Sequence, residues 1–331
     1  MDIKGLLKEI EYDDFRGDEN VRITGITNDS RKSAIGDIFV AINGFTADGH
    51  KFIGDALKNG ASAVICTHIP EELQDKGNFI VVREPRKSMA SAADIIYDHP
   101  SGKINIVGVT GTNGKTSTTY LLKGIYDYIG DKSGIIGTIG VLMDGEKIKV
   151  DNTTPEAADL QKYFAKMVEK DIQHCFIEVS SHALELNRVD NVSIDVGIFT
   201  NLTRDHLDFH VTMENYYLAK KKLFHITKIN NIINVDDPYG ERLYRELREE
   251  GINAISVGID NDADIRAYNL ETTMRGTSFD LNIMGIVKKV HVNTPGRFSV
   301  LNSLGAFGAA YALGADADRI IEALGIIKGV T

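Results

Sequence analysis

An apolar run passes directly into a glycine-rich loop at Ile104-Asn105-Ile106-Val107-Gly108-Val109-Thr110-Gly111-Thr112-Asn113-Gly114-Lys115-Thr116. The run predicts a buried strand, and the residues from Ser117 to about 129 predict a helix. Glycines let backbone N–H groups turn inward around phosphate oxygens, the helix start adds its positive end, and a lysine adds a point charge. The stretch therefore predicts a nucleotide-phosphate loop formed by Gly111, Thr112, Asn113, Gly114, Lys115, Thr116 and Ser117.

This loop departs from the general phosphate-loop pattern G-x-x-x-x-G-K-[ST], whose first glycine would fall at Val109. The alternative is an ordinary glycine-rich turn between a strand and a helix. The strand before the loop and the helix after it are the context that phosphate binding requires, so they favour the nucleotide site.

Strands and helical patterns alternate beyond the loop. Further buried strands are predicted at 175–179, 196–200 and 231–235. Such alternation predicts an α/β fold, a P-loop-type and mostly parallel sheet with helices on both faces. Residues 265–292 change to three short strands with polar turns, which predicts a small antiparallel meander, and two helices follow at about 298–313 and 316–326.

The amino-terminal part predicts a second, smaller α/β domain. Short β-rich runs at 21–24, 38–42, 63–66 and 79–82 alternate with helical patterns such as 52–58. The turn-rich segment 98–103 then reads as a linker. We therefore expect domains at 1–100 and 101–331.

Composition excludes several classes of protein. The formal net charge of −10 argues against a general nucleic-acid binder, because binding a polyanion relies on clustered Lys and Arg. Cys66 and Cys175 have no partner spacing that would suggest a disulfide framework or a zinc site. No run approaches the roughly 20 apolar residues that a membrane span requires. We expect a cytoplasmic protein without a membrane or nucleic-acid partner.

Several motifs resemble one known family. They are Gly111-Thr112-Asn113-Gly114-Lys115-Thr116, Asn152-Thr153-Thr154-Pro155, Glu178-Val179-Ser180-Ser181-His182, Thr200-Asn201-Leu202-Thr203-Arg204-Asp205-His206, and Gly296-Arg297-Phe298 leading to Asn302. Together they look like the Mur ligases, which build the peptide of bacterial cell-wall precursors, in the branch that makes the UDP-linked tripeptide. Asn28-Asp29-Ser30-Arg31 and Ala47-Asp48-Gly49-His50 resemble the uridine-binding domain of that branch.

The resemblance implies an ATP-dependent acid–amino-acid ligase of peptidoglycan synthesis. Such an enzyme adds the third residue to UDP-N-acetylmuramoyl-L-Ala-D-Glu through an acyl phosphate, with meso-diaminopimelate favoured over L-lysine. It implies that 1–100 bind the UDP-sugar and that 101–331 form the central ATP-binding domain. The family's carboxy-terminal Rossmann-like ligase domain, which holds most of the amino-acid site, does not follow in this sequence. The chain is thus expected to be a monomeric fragment that binds substrates without turnover.

The resemblance also assigns the catalytic residues Lys115, Glu178, His206 and Lys220. Glu178 ends a predicted parallel strand, where α/β ligand sites gather, and with Thr116 it is the expected Mg²⁺ ligand. His206 is the expected ligand of a second metal ion, and Lys220 is expected to react with CO₂ and ligate metal as a carbamate. The alternatives are a helix-start carboxylate for Glu178, a polar loop residue for His206 and a solvated helix face for Lys220.

Substrate contacts are carried over in the same way. Asn28 and Ser30 match positions that contact uridine, and Thr153, Thr154, Ser180 and Arg188 match positions that contact the sugar, diphosphate and peptide. A guanidinium fork suits a phosphate or carboxylate, although Arg188 could instead form a surface ion pair. Asn302 and Arg297 are the expected contacts to adenine.

Two other functions stay open. A folylpolyglutamate-type ligase shares the loop and the activation of a carboxylate, although the uridine-type motifs and Thr153-Thr154 speak against it. A catalytically silent nucleotide-binding module is the second possibility.

Overall fold

The computed structural model describes residues 1–44 and 47–328, so residues 329–331 of the expected ATP-binding domain lie outside it. The chain divides into two compact units. The first unit consists of 1–103 together with 155–166 and 186–192, and the second of 104–154, 167–185 and 193 onward.

The first unit is built on a small sheet with the strand order β1-β5-β4-β3-β2. Its strands are β1 (Asp14–Arg16), β2 (Gly25–Thr27), β3 (Asp37–Val40), β4 (Ala63–Cys66) and β5 (Phe79–Val81). Its helices within 1–103 are α1 (Ile3–Leu6), α2 (Ile53–Lys58) and α3 (Pro85–Ile96), with single 3₁₀ turns at Ser30–Lys32, Gly49–Phe52, Glu71–Leu73 and Pro100–Lys103. β2 to β5 run parallel and β1 is antiparallel to β5.

The strand predicted at 21–24 is wrong, because the sheet takes 25–27 instead. Ile23 N–H donates to the Met1 carbonyl at 2.9 Å, and Arg22 forms an isolated antiparallel bridge with Asp2. Residues 21–24 therefore pair their backbone groups with the amino terminus and not with a strand of the sheet.

The second unit is built on a larger sheet with the order β16-β15-β14-β13-β12-β11-β6-β10-β7-β8-β9. Its strands are β6 (Asn105–Thr110), β7 (Ser133–Gly137), β8 (Gly140–Met143), β9 (Glu146–Ile148), β10 (His174–Glu178), β11 (Val196–Phe199), β12 (Asn230–Asn234), β13 (Ile255–Gly258), β14 (Ile265–Thr273), β15 (Gly276–Ile283) and β16 (Ile286–Val292). The chain's further helices are α4 (Lys115–Ile129), α5 (Ala157–Glu169), α6 (Ser181–Glu185), α7 (Leu207–His210), α8 (Met213–Lys221), α9 (Pro238–Glu249), α10 (Arg297–Ala312) and α11 (Ala317–Leu324), with a 3₁₀ turn at Lys222–His225.

The strand order places the glycine-rich loop after β6 at the centre of this sheet. β6 lies between β10 and β11 and runs parallel to both. From β6 the chain moves through α4 to β7 on one side, whereas β11, β12 and β13 extend the sheet on the other. A ligand crevice forms outside the carboxyl ends of the strands where the strand order reverses in this way. The predicted α/β class with a mostly parallel sheet is confirmed, and β14 to β16 form the antiparallel meander as a continuation of the same sheet.

The core of the second unit packs α4, α10 and α11 against this sheet. Leu122 and Ile125 of α4, Phe307 of α10 and Ile320 of α11 are fully buried together with the apolar side chains of β6 and β12. Each such side chain contributes about 1.5–3 kcal/mol relative to exposure. No helix among the described residues is long and apolar enough to cross a membrane.

Glu246 of α9 gives a pH-dependent test of the packing of α9 against α8. Its carboxylate accepts hydrogen bonds from Tyr217 Oη at 2.6 Å, Lys221 Nζ at 2.9 Å and Arg242 Nε at 2.7 Å. Burial opposes ionisation of Glu246, but these donors outweigh it and lower its pKa to about 2. The stabilisation is therefore present above the unfolded-state pKa of about 4.3 and is lost as the pH falls toward 2.

Glu246→Gln is expected to lower the free energy of unfolding by about 1 kcal/mol at pH 7, and the difference from wild type should disappear near pH 2. Urea unfolding at a series of pH values measures this. Glu249→Gln, on the exposed face of the same helix, is the control. A difference that is constant across the pH range would contradict the assignment.

Candidate active site

The loop after β6 is shaped by two glycines with positive φ. Gly111 has φ +150°, and a β-carbon there would lie 1.8 Å from Thr200 Oγ1. Gly114 has φ +87° at the start of α4, and a β-carbon there would lie 2.4 Å from Asn302 Oδ1. Only glycine fits both the conformation and the space at these two positions. This explains why the loop has glycines at 111 and 114, although the general pattern would put its first glycine at 109.

Asn201 holds the tip of the loop. Its Oδ1 accepts from Asn113 N–H at 3.0 Å and its Nδ2 donates to the Asn113 carbonyl at 3.1 Å. The backbone carbonyl of Asn201 accepts from Thr112 N–H at 2.9 Å, and Thr200 Oγ1 donates to the Asn113 carbonyl at 2.6 Å. Thr200 and Asn201, which directly follow β11, thereby hold the loop by hydrogen bonds. The sequence did not predict this role for either residue.

Asn201→Ala is expected to weaken ATP binding about tenfold, because the Asn113 N–H loses its partner, the Asn113 carbonyl keeps only Thr200 Oγ1 and the loop loses preorganisation. The unfolding free energy should fall by only about 1 kcal/mol. Isothermal titration calorimetry with ATP, alongside thermal unfolding, measures both quantities. Unchanged ATP affinity in a folded variant would show that the loop does not need this support.

Two lysines meet on one carbonyl at the loop. Lys115 Nζ donates to the Gly111 carbonyl at 2.8 Å and to that of Thr112 at 3.0 Å. Lys220 Nζ donates to the same Gly111 carbonyl at 3.1 Å and to Thr110 Oγ1 at 3.4 Å. Lys220 is 1% exposed, so its reading as a solvated helix residue is wrong.

The charges of these lysines are poorly compensated. Burial lowers the pKa of Lys115, and the carboxylates of Glu178 and Asp205 partly oppose that shift. Burial lowers the pKa of Lys220 well below its usual value, and the positive charge of Lys115 adds to the effect. The ammonium of Lys115 beside backbone N–H groups suits a polyphosphate, whereas the surroundings of Lys220 favour its neutral amine.

Glu178 lies beside the loop at the end of β10. It is 1% exposed and accepts hydrogen bonds from Thr116 Oγ1 at 2.9 Å, Thr138 N–H at 3.0 Å and Thr138 Oγ1 at 3.1 Å. A β-carbon at Gly137 would lie 2.2 Å from Glu178 Oε1, so a glycine is needed to admit the carboxylate. The sequence reasoning missed Gly137 and Thr138, since they approach Glu178 only through the pairing of β7 with β10.

Thr153, Thr154 and Ser180 form a second hydroxyl cluster. Thr154 Oγ1 donates to the Glu178 carbonyl at 2.8 Å and lies 3.2 Å from Ser180 Oγ, while Ser180 N–H donates to Thr154 Oγ1 at 3.0 Å. Thr153 Oγ1 lies 3.1 Å from Thr138 Oγ1. These predicted substrate residues are thus brought within one or two hydrogen bonds of Glu178.

His206 packs against the rings of His182 and Tyr216. Its ring meets His182 edge-on at a centroid distance of 5.0 Å and Tyr216 at 6.1 Å. The Lys220 ammonium lies 4.6 Å from the centroid of the same Tyr216 ring, and Tyr216 Oη lies 3.3 Å from Thr112 Oγ1. Tyr216 therefore connects His206, Lys220 and the loop. Within 1–44 and 47–328, no three His, Cys, Asp or Glu side chains converge in a ready-made metal site.

A cavity of about 260 Å³ lies beside the start of α4. Its lining includes Ser117, Tyr120, Phe298 and Asn302. The cavity has the aromatic and amide groups that a nucleobase would contact. Arg297 is not among its lining residues, because its guanidinium pairs with Asp260 and Asp236.

The remaining predicted substrate residues belong to the first unit. Asn28 and Ser30 lie at a turn in which Asp29 Oδ1 accepts from Arg31 N–H at 3.1 Å. Arg188 Nη2 lies 2.8 Å from Glu156 Oε1, and both side chains are largely buried, so Arg188 is not in a surface ion pair.

Comparison with known proteins agrees with this architecture. A model described as the Mur ligase middle domain matches residues 109–310, and one described as the Mur ligase family catalytic domain matches 22–97. The chain is 42% identical over 330 residues to the UDP-N-acetylmuramoyl-L-alanyl-D-glutamate--2,6-diaminopimelate ligase 1 of Clostridium acetobutylicum, covering 100% of the chain and 67% of that protein. It is 42% identical to the corresponding ligase of Clostridioides difficile, covering 100% and 68% respectively.

A solved structure of a UDP-N-acetylmuramoyl-L-alanyl-D-glutamate--2,6-diaminopimelate ligase superposes with a TM-score of 0.86 at 26% identity, over 100% of this chain and 67% of that one. The chain thus spans about two thirds of the length of these relatives. The resemblance inferred from the motifs is confirmed, and the chain belongs to the Mur ligase family.

Proposed function

We propose that this chain forms the nucleotide-binding and UDP-substrate-binding part of an ATP-dependent ligase that adds meso-diaminopimelate to UDP-N-acetylmuramoyl-L-Ala-D-Glu. The observation that carries the proposal is the loop itself, where Lys115 and Lys220 converge on the Gly111 carbonyl while Glu178 contacts Thr116. The named relatives act on 2,6-diaminopimelate, which favours this amino acid over L-lysine.

The chemistry follows from the charges involved. The γ-phosphoryl group of ATP is transferred to a substrate carboxylate, and the amine then attacks the acyl phosphate and expels phosphate. Every reactant except the amine is negative, so positioning and charge neutralisation carry the catalysis. Lys115 would exchange its two loop carbonyls for phosphate oxygens, and the Thr153, Thr154 and Ser180 hydroxyls would orient the acceptor substrate.

The donor set around Glu178 fits Mg²⁺, a hard cation that prefers oxygen ligands. Glu178 and Thr116 would hold it, and when bound it would neutralise charge on the nucleotide phosphates. His206 is proposed as a ligand of a second ion, linked to the loop through Tyr216.

Lys220 is proposed to carry a carbamate. Its neutral amine would add to CO₂ and release one proton. The product would be a carbamate, whose anionic oxygen can ligate a metal ion. The full burial of Lys220 and its contact with the Gly111 carbonyl support this assignment. ¹³C NMR after incubation with ¹³C-bicarbonate should show a carbamate signal that Lys220→Met lacks, and a wild-type spectrum without that signal would remove the proposal.

The function is tested by calorimetry and phosphate release. ATP and UDP-N-acetylmuramoyl-L-Ala-D-Glu should each bind, whereas a folate should not. Failure of the UDP-dipeptide to bind at high concentration would overturn the assignment. Adding meso-diaminopimelate or L-lysine to the complex tests turnover, and binding without phosphate release would identify a chain that holds the substrates without completing the ligation.

A further inference from the structure

Tyr216 of α8 lies against the glycine-rich loop and is 1% exposed. Its hydroxyl oxygen lies 3.3 Å from Thr112 Oγ1, and the Lys220 amino group lies over its ring, 4.6 Å from the centroid. The ring of His210 stacks on the Tyr216 ring at a centroid distance of 4.9 Å. The position of Tyr216 is therefore fixed by its ring as well as by its hydroxyl group.

The hydrogen bonds of Thr112 identify the Tyr216 hydroxyl as a donor. A threonine hydroxyl has one proton and two lone pairs. Thr112 Oγ1 donates its proton to the Thr203 carbonyl at 3.2 Å and accepts from Thr203 N–H at 3.0 Å. Its second lone pair is then available to accept the proton of Tyr216 Oη. Thr112 is thereby held between the segment that follows β11 and α8.

The ring of Tyr216 reaches the same stretch of the loop through Lys220. An ammonium is attracted by the face of an aromatic ring, and a neutral amine can direct an N–H at it, so Lys220 packs there in either state. The same amino group donates to the Gly111 carbonyl at 3.1 Å. Tyr216 therefore contacts Thr112 directly and Gly111 through Lys220. These two consecutive residues are the ones whose carbonyls accept from Lys115 Nζ.

We propose that Tyr216 is a positioning residue for ATP, which holds Gly111 and Thr112 in the conformation in which the loop N–H groups and Lys115 meet the nucleotide phosphates. This inference rests on the proposed function, which assigns the loop to ATP. A loop that is fixed before its ligand arrives loses less conformational freedom on binding, so its affinity is higher. Tyr216 has this effect without contacting the nucleotide.

Calorimetry with ATP on Tyr216→Phe tests the proposal. The variant keeps the ring beside Lys220 and removes only the donor to Thr112, so the Kd for ATP is expected to rise about fivefold. Tyr216→Leu removes the ring contact as well, and its loss of ATP affinity should be larger. A loss in Tyr216→Leu no larger than that in Tyr216→Phe would overturn the part of the inference that concerns Lys220.

The neighbouring Tyr217 provides a matched control. It is also fully buried, its hydroxyl donates to Glu246 at 2.6 Å and its ring lies 4.3 Å from the Arg242 guanidinium carbon, but neither partner belongs to the loop. Tyr217→Phe should lower the melting temperature by about 2 °C and leave the Kd for ATP within twofold of wild type.

A double-mutant cycle separates positioning from a general loss of structure. In a Thr112→Ala background the Tyr216 hydroxyl has no acceptor, so adding Tyr216→Phe should change the Kd for ATP less than twofold. If Tyr216→Phe does not fold, Thr112→Ala is compared with Thr112→Ser, which keeps the hydroxyl, and equal ATP affinity in both would overturn the inference. Wild-type ATP affinity in folded Tyr216→Phe, an equal loss in Tyr217→Phe, or additive losses in the cycle would also overturn it. Failure of the wild-type chain to bind ATP would instead count against the proposed function.

Discussion

Lys115→Ala is expected to weaken ATP binding by about a hundredfold, equivalent to about 2.7 kcal/mol, without lowering the thermal stability of the chain. The ammonium of Lys115 is the cation that the loop presents at the start of α4, where it donates hydrogen bonds to the carbonyls of Gly111 and Thr112. Because burial already lowers the pKa of Lys115, its removal relieves a desolvation cost. The loss should therefore be one of phosphate binding and not of folding.

Titration calorimetry with ATP and ADP, together with thermal unfolding, measures the Lys115 effect. The control is Lys123→Ala on the same helix, where Lys123 pairs with Asp127 at 2.8 Å. That control should keep wild-type affinity for both nucleotides. ATP affinity within threefold of wild type in Lys115→Ala would show that the loop does not hold the phosphates.

Glu178→Gln and Gly137→Ala are expected to weaken the dependence of ATP affinity on Mg²⁺ by different routes. Glu178→Gln keeps the shape of the side chain and removes its charge. Gly137→Ala keeps the charge, but its β-carbon would lie 2.2 Å from Oε1 and 2.7 Å from Cδ of Glu178 and must displace the carboxylate. Both variants should lower the gain in ATP affinity on adding Mg²⁺ by about tenfold or more.

The measurement is the ratio of ATP dissociation constants with Mg²⁺ and with EDTA. Gly54→Ala is a matched control, because nothing lies within 4 Å of the added carbon. Affinity in EDTA should stay close to wild type in all variants, which separates loss of the cation from damage to the loop. A full Mg²⁺ effect in Gly137→Ala would mean that Glu178 does not hold the metal ion in its present position.

The conformation of the glycine-rich loop could be predicted from sequence because its determinants are local. Gly111, Gly114 and Lys115 act through backbone conformation and charge within a few residues of each other. The parallel sheet was predictable for a similar reason, since buried strands have short continuous apolar runs. The bounds of β4, Ala63–Cys66, needed no long-range information.

The surroundings of Glu178 could not be predicted in the same way. Thr138 precedes Glu178 by 40 residues, and the two meet only because β7 pairs with β10 in one particular register. The run Lys220-Lys221-Lys222 shows the same limit. Lys221 and Lys222 pair with Glu246 and Glu185, whereas Lys220 turns into the interior, and charge patterning along the sequence does not tell these three lysines apart.

The triple-segment make-up of the first unit has a consequence for synthesis of the chain. Ala157 and Ala158 belong to the same apolar core as Ile38, Ile65 and Met89, so the core lacks part of its covering until α5 has been made. The segment 186–192, which brings Arg188, comes later still. Since chains emerge from the ribosome amino terminus first, this unit is completed only after β6 to β10 of the second unit have been translated. Separate expression of 1–100 should therefore give an unstable, aggregation-prone product, even though those residues contain the whole of the smaller sheet.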